Sequence, residues 1–251
     1  MTASSTNNPL GTPLLEIDST GSTNNYAMEM INNGTAAHGT AVFAHEQTAG
    51  KGQRGKSWIT TKGENILLSV IIDARQIATQ PKFLLSMAMA VAVHDFFGAH
   101  CVDENSVKWP NDLYWRDRKA GGILIENVLR GMDWQWSIVG IGININQTRF
   151  ADVIQNPVSL KQITGKNHDP LMLAKQLCAY LDKSYNTLCV NPASIKDRYN
   201  SILYKKNTTV TLKKGNVLFD CTINSVDEHG RLKVTAAMEQ SFEVGEIEWI
   251  R

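Results

Sequence analysis

The sequence predicts an α+β protein, a mixed sheet packed with helices and followed by a small β-barrel. Three observations carry this. Residues 65–72 (Asn-Ile-Leu-Leu-Ser-Val-Ile-Ile) form a near-continuous apolar run, as in a buried strand. Residues 82–97 are apolar almost all round, so their helix belongs inside a core. After Tyr204 helices give way to short strands joined by Lys-Gly-Asn and Glu-His-Gly turns. At 251 residues the chain has room for one large and one small domain.

The elements follow in order. Residues 1–13, rich in Thr, Ser, Asn, Pro and Gly, read as a disordered tail. Residues 14–17 start the first strand. Ser22 and Thr23 can cap a helix over 24–31 that stops at Asn32-Asn33-Gly34. Residues 40–44 are a short buried strand leading into a glycine loop. The apolar helix ends at Gly98. Strands recur at 106–108, 113–115, 122–128 and 134–144, with a turn at Asp117-Arg118. Helices cover 169–187 and 193–203. The final barrel is built from strands near 208–213, 216–227, 231–235 and 247–250.

Bulk properties exclude several classes. Hydrophobic content of 43% and charged content of 20% are ordinary for a globular protein. A formal net charge of +1 gives no global field for nucleic acid. The four cysteines, Cys101, Cys178, Cys189 and Cys221, form no Cys-x-x-Cys pair, which points to free thiols in a reducing cytoplasm. The N-terminus lacks a signal pattern, and the most apolar run, 84–93, is about half of the ~20 residues a membrane span needs.

The strongest local signal is Ala49-Gly50-Lys51-Gly52-Gln53-Arg54-Gly55-Lys56-Ser57-Trp58. Glycines let a backbone approach a ligand and turn its amides toward an anion; the cations add charge and Trp58 an aromatic face. Its glycine spacing does not fit a dinucleotide fingerprint. The plain alternative is a solvated basic loop. Lys108-Trp109-Pro110-Asn111-Asp112 places a proline-enforced bend at a strand end, with a cation and an amide beside it, or is simply an Asn-Asp turn. Arg118-Lys119-Ala120-Gly121-Gly122 sets a lysine among small residues where it can reach an anion, or is a charged turn. Gly140-Ile141-Gly142-Ile143-Asn144 puts glycines in a strand, for a ligand or for tight packing, and Asn144 can read a base or ribose edge. Ser22-Thr23-Asn24 suits a small polar head or a helix cap.

Taken in order, these motifs, with Glu46-Gln47 before the loop and Gly245-Glu246-Ile247 near the end, resemble those of the biotin protein ligases over about residues 14–251. The resemblance implies a class II synthetase-like catalytic domain over 14–204 and an SH3-like domain over 205–251. It places Ser22, Thr23 and Gln47 on the biotin ureido ring, with Asn24, Gly50, Lys51, Gly52, Gln53 and Gly122 completing the biotin site. Lys119 faces the biotin carboxylate and the α-phosphate. Trp58 and Asn144 contact adenine, and Lys51, Arg54, Lys108 and Asn111 lie in the nucleotide site. Lys51 and Gln53 stand where the family usually has arginines. The short segment before residue 14 implies the catalytic-only type, without a DNA-binding helix-turn-helix.

The implied chemistry uses biotin, ATP and Mg²⁺. The biotin carboxylate attacks the α-phosphorus, giving biotinyl-AMP and pyrophosphate, and a lysine of a biotin carboxyl carrier domain then displaces AMP. Step one needs alignment and charge neutralisation by Lys119, Arg54 and Lys51. Asp112 is the candidate to position or deprotonate the incoming amine. A cytoplasmic enzyme with no DNA or membrane partner follows, and a homodimer is compatible with it. The rivals are a lipoate or octanoate ligase or transferase of similar fold, and a non-enzymatic binding module.

Overall fold

The computed structural model describes residues 8–101, 104–151 and 156–250. Its main layer is a seven-stranded mixed sheet in the order β1-β2-β3-β7-β6-β5-β4. The strands are β1 (Leu14–Thr20), β2 (Ala41–Gln47), β3 (Asn65–Asp73), β4 (Asn105–Lys108), β5 (Asp112–Trp115), β6 (Arg118–Arg130) and β7 (Asp133–Asn144). β1 and β2 run parallel, joined through α1 (Thr23–Asn32), and the other neighbours are antiparallel.

The two faces of the sheet differ. Val139, Ile141 and Ile143 of β7 join the large core with α2 (Phe83–Gly98), α4 (Pro170–Val190) and α5 (Pro192–Ser201). Ile138, of opposite parity, packs with Ile71 beneath Ala27 and Ile31 of α1. Successive strand residues alternate faces, so Gly140 and Gly142 share the α1 side with Ile138. Central β3 is covered on both sides, which is why its sequence shows no alternation. α2 is apolar all round because it lies between the sheet and α4 and α5. A short α3 (Leu160–Thr164), closed by a Ser159–Gln162 capping box, is an element the sequence reading did not foresee.

A second, five-stranded antiparallel sheet follows, ordered β11-β10-β9-β8-β12. Its strands are β8 (Thr209–Lys214), β9 (Val217–Val226), β10 (Leu232–Thr235), β11 (Glu239–Phe242) and β12 (Glu248–Trp249). This is the expected small C-terminal β unit, with β11 added. Its Leu212, Ile223 and Leu232 continue the main core. The Trp109 indole N–H donates to the Gly230 carbonyl at 2.9 Å, tying the bend before β5 to the second sheet.

The disordered reading of residues 1–13 is corrected where residues are described. Leu10 is buried in the core, its N–H donates to Asp182 Oδ1 at 2.9 Å, and the Gly11 N–H donates to the Gly39 carbonyl at 2.7 Å. One apolar side chain among polar neighbours carries too little periodicity to reveal such docking. Residues 1–7 lie outside the described residues. All four cysteines are free; Cys178 and Cys221 are buried, and burial pushes the Cys178 thiol up to about 11. Among the described residues no helix is long and apolar enough to cross a membrane.

Candidate active site

The α1 face of β6 and β7 forms the floor. Gly122 pairs with Gly142 and Leu124 with Gly140. A Cβ on Gly140 would lie 2.2 Å from Asn24 Oδ1, and one on Gly142 would lie 2.5 Å from Cε2 of Trp58. The two bare positions therefore seat Asn24 and Trp58 side by side. They are one strand repeat apart, roughly 6.6 Å.

Lys119 reaches this face through a β-bulge. Gly121 pairs with Leu113 and Lys119 with Tyr114, leaving Ala120 unmatched. The extra residue reverses the alternation, so Lys119 shares a face with Gly122 although their separation in sequence is odd. Lys119 is part of strand β6, which starts at Arg118 rather than at the expected residue 122. Its Nζ lies 2.7 Å from Asp112 Oδ1, with both side chains about a quarter exposed, 28% and 26%. The same ammonium is 5.7 Å from the centroid of the Trp58 ring. Lys119, Asp112, Gly122 and Trp58 thus form one cluster.

The second cluster lies beside it. Gln47 Oε1 accepts from the Thr23 N–H at 2.8 Å and the Thr23 hydroxyl at 3.0 Å. Ser69 Oγ is 2.7 Å from Thr23 Oγ1 and 2.6 Å from Asn24 Oδ1. Asn24 Nδ2 donates to Glu126 Oε2 at 2.7 Å, and Glu126 Oε1 lies 3.5 Å from Lys51 Nζ. Ser22 is buried at the N-cap of α1, yet its side chain makes no capping bond, so the hydroxyl is not consumed by the helix.

The glycine loop connects β2 to β3 above the floor. It folds on itself: the Gly52 N–H donates to the Lys56 carbonyl at 2.7 Å and the Trp58 N–H to the Gly50 carbonyl at 2.8 Å. Gln53 opens a 3₁₀ turn, Gln53–Gly55. Gly50, Lys51, Gly52, Arg54, Leu124 and Glu126 are among the residues lining a cavity of about 480 Å³. The Trp58 indole N–H is buried with no acceptor among the described residues. Arg54, with φ +56, turns its guanidinium to the C-terminal sheet and donates to the carbonyls of Val244 at 2.9 Å and Gly245 at 3.2 Å.

The remaining sequence-derived positions act mainly on backbone. Asn144 is buried and its Nδ2 donates to the carbonyls of Val158 at 3.1 Å and Lys119 at 3.4 Å, bracing the segment that carries Lys119. Asn111 holds the β5–β6 edge by donating to the Ile123 carbonyl while its own carbonyl accepts the Ile123 N–H. Lys108 is not among the residues lining the loop cavity; its Nζ lies 4.9 Å, 5.6 Å and 5.0 Å from the ring centroids of Tyr114, Tyr204 and Trp249. Sequence reasoning assigned no role to Ser69 or Glu126. The signal for Ser69 was present as the single hydroxyl in the otherwise apolar interior of β3.

Residues 16–144, about half the chain, match the biotin/lipoate A/B protein ligase family. The chain is 34% identical over 158 residues to the bifunctional ligase/repressor BirA of Escherichia coli (strain K12), covering 62% of this chain and 48% of BirA. It is 29% identical over 218 residues to the biotin–[acetyl-CoA-carboxylase] ligase of Mycobacterium tuberculosis (strain ATCC 25618 / H37Rv), covering 85% and 79%. The chain thus spans about half the length of BirA and more of the mycobacterial ligase. In fold it is similar to the biotin protein ligase of Aquifex aeolicus in complex with biotin and ATP, with TM-score 0.80 and 24% identity, covering 95% of this chain and 98% of that one. The sequence match spans the serine-threonine turn, the glycine loop, the bulged lysine strand and the glycine pair of β7, and on that ground the chain belongs to the biotin/lipoate A/B protein ligase family.

Proposed function

We propose that this chain is an ATP-dependent biotin–protein ligase, which forms biotinyl-AMP and transfers biotin to a lysine of a biotin carboxyl carrier domain. The observation that carries the reading is the placement of Lys119. The bulge aims its ammonium onto the glycine floor beside Trp58, next to the polar Thr23–Gln47–Asn24 cluster. A ureido ring offers both donors and an acceptor, matching the free Ser22 hydroxyl and the Gln47 amide. Lys119 is then placed to meet the carboxylate at the ligand's other end.

In the first step a carboxylate oxygen attacks the α-phosphorus, the bond to the bridging oxygen of the β-phosphate breaks, and pyrophosphate leaves. The carboxylate is already ionised, so the work is charge neutralisation and alignment. Lys119 screens both reacting anions, and Lys51 and the loop amides serve the phosphates. Trp58, with its spare N–H, faces the nucleotide. Arg54 supports the loop through the Val244 and Gly245 carbonyls between β11 and β12. Among the described residues no group of three or more His, Cys, Asp or Glu side chains is placed to hold a metal. Mg²⁺ is therefore assigned to ATP's phosphates, entering with the substrate. In the second step the carrier amine attacks the acyl carbon, AMP leaves, and one proton is lost. Asp112, held beside Lys119, is the carboxylate placed to receive it.

The test measures pyrophosphate release with ATP, Mg²⁺ and biotin, lipoate or octanoate in turn, followed by mass spectrometry of a carrier domain. Biotin-dependent release and a mass gain equal to one biotinyl group are expected. Release driven by lipoate or octanoate alone overturns the substrate assignment.

A further inference from the structure

We infer that Glu126 is a positioning residue that joins the glycine loop to α1 and sets where Lys51 lies over the pocket. The inference rests on the function proposed above, in which Lys51 and the loop amides serve anionic groups beside the Thr23–Gln47–Asn24 cluster. The loop cavity is lined by the cations Lys51, Arg54 and Lys56, and Glu126 is the single carboxylate among its described lining residues. A carboxylate there weakens attraction for an anionic ligand. Its contacts supply a reason for its presence.

Glu126 uses both oxygens. Oε2 takes the Asn24 amide at 2.7 Å, and Oε1 faces the Lys51 ammonium at 3.5 Å. A carboxylate can only accept, so it forces the Asn24 amide to present Nδ2 to it and Oδ1 to Ser69. The same group therefore fixes the polarity of the Thr23–Ser69–Asn24 cluster and anchors the first cation of the loop. Gly140 makes room for this arrangement, since any Cβ there would strike Asn24. The Lys51 and Glu126 side chains are 42% and 32% exposed, so their pairing is weak by itself. Its effect is to add a side-chain tie at Lys51 to a loop also held by its backbone turns, by the Trp58 ring seated on Gly142 and by the Arg54 contact.

Hydrogen exchange of the unliganded protein tests this without requiring turnover. The informative amides are Gly52 and Trp58, which close the loop on itself. E126K and K51E should raise their exchange rates about threefold to tenfold, and K51E/E126K should return them to within about twofold of wild type. E126Q, which keeps an acceptor for Asn24 but no charge, should fall between. KM for biotin should rise in the same order, with kcat changing less. Exchange that is the same in E126K, E126Q and wild type overturns the proposal, as does a charge swap no better than either single variant. Altered exchange with unaltered KM also overturns it. If the wild-type protein activates no acid at all, the proposed function fails while the exchange rates still decide the role of Glu126.

Discussion

Replacing Gly142 by Ala adds one methyl group at the point where the floor meets Trp58. Gly142 lies within β7, and its φ is not positive, so alanine fits the backbone. The added Cβ would sit 2.5 Å from Trp58 Cε2 and 2.7 Å from Cζ2 and Nε1. Ordinary contact starts near 3.4 Å, so the ring must lift by about 1 Å. Overpacking of this kind costs ~1–3 kcal/mol, and the lower half is expected because the ring belongs to a loop that can yield. The decisive comparison is a double-mutant cycle. In a Trp58→Ala background the obstruction is gone, and Gly142→Ala should then change stability by less than ~0.5 kcal/mol. Urea unfolding of the four proteins gives the coupling. ATP binding by calorimetry should weaken in Gly142→Ala, because Trp58 is displaced from its seat. Equal destabilisation by Gly142→Ala with and without Trp58 would refute the reasoning, because the methyl group would then be meeting something other than the indole.

Three further outcomes are expected. Lys119→Ala should lower the rate of adenylate formation by about 10²–10³, the usual loss for a charged transition-state contact, while circular dichroism stays native; pyrophosphate release within about threefold of wild type would remove Lys119 from the chemistry. Gly245→Ala should speed tryptic cleavage after Arg54 by about threefold to tenfold, since Gly245 has φ +88 and a Cβ there would overlap the Arg54 guanidinium; unchanged cleavage would show that this contact does not hold the loop. Thermal stability should fall as the pH drops below about 6.5. His38 and His100 are both held below the ordinary 6.5, first by burial, with Asp73 and Asp182 opposing at His38 and the charge of His168 adding at His100. Their folded forms favour the neutral ring, so this stability is fully present above about 6.5 and is lost as the pH falls below it. His38 Nδ1 also accepts the Asp73 N–H at 3.1 Å, which protonation abolishes. His38→Asn, whose Oδ1 can accept that bond, should flatten the slope; an unaltered slope would assign the dependence elsewhere.

Much of the fold was legible because burial leaves a pattern along the chain. Apolar β3 and α2 announced a layered core, and the Gly turns after Tyr204 announced a second sheet of different construction. The motifs that meet at the candidate site were legible because glycine, lysine and amide side chains at those spacings have few structural uses in combination. What escaped was set by contacts between distant segments. A one-residue bulge at Ala120 decides which face Lys119 serves, and no local pattern marks it. Arg54 reads as a nucleotide-site residue, and only the packed chain shows that its guanidinium also meets the Val244 and Gly245 carbonyls 190 residues later. Lys108 reads the same way, and only the packed chain shows Tyr204 and Trp249 beside it with Tyr114. Leu10 seemed part of a loose tail because its partner Asp182 lies on α4, and its neighbour Gly11 is held by the Gly39 carbonyl. The sequence by itself determined which side chains are available and which elements carry them, because propensity and hydrophobic period act within a few residues. Only the tertiary structure decided where each charge points, because a long cation settles against whatever acceptors or rings the packed chain brings within its reach.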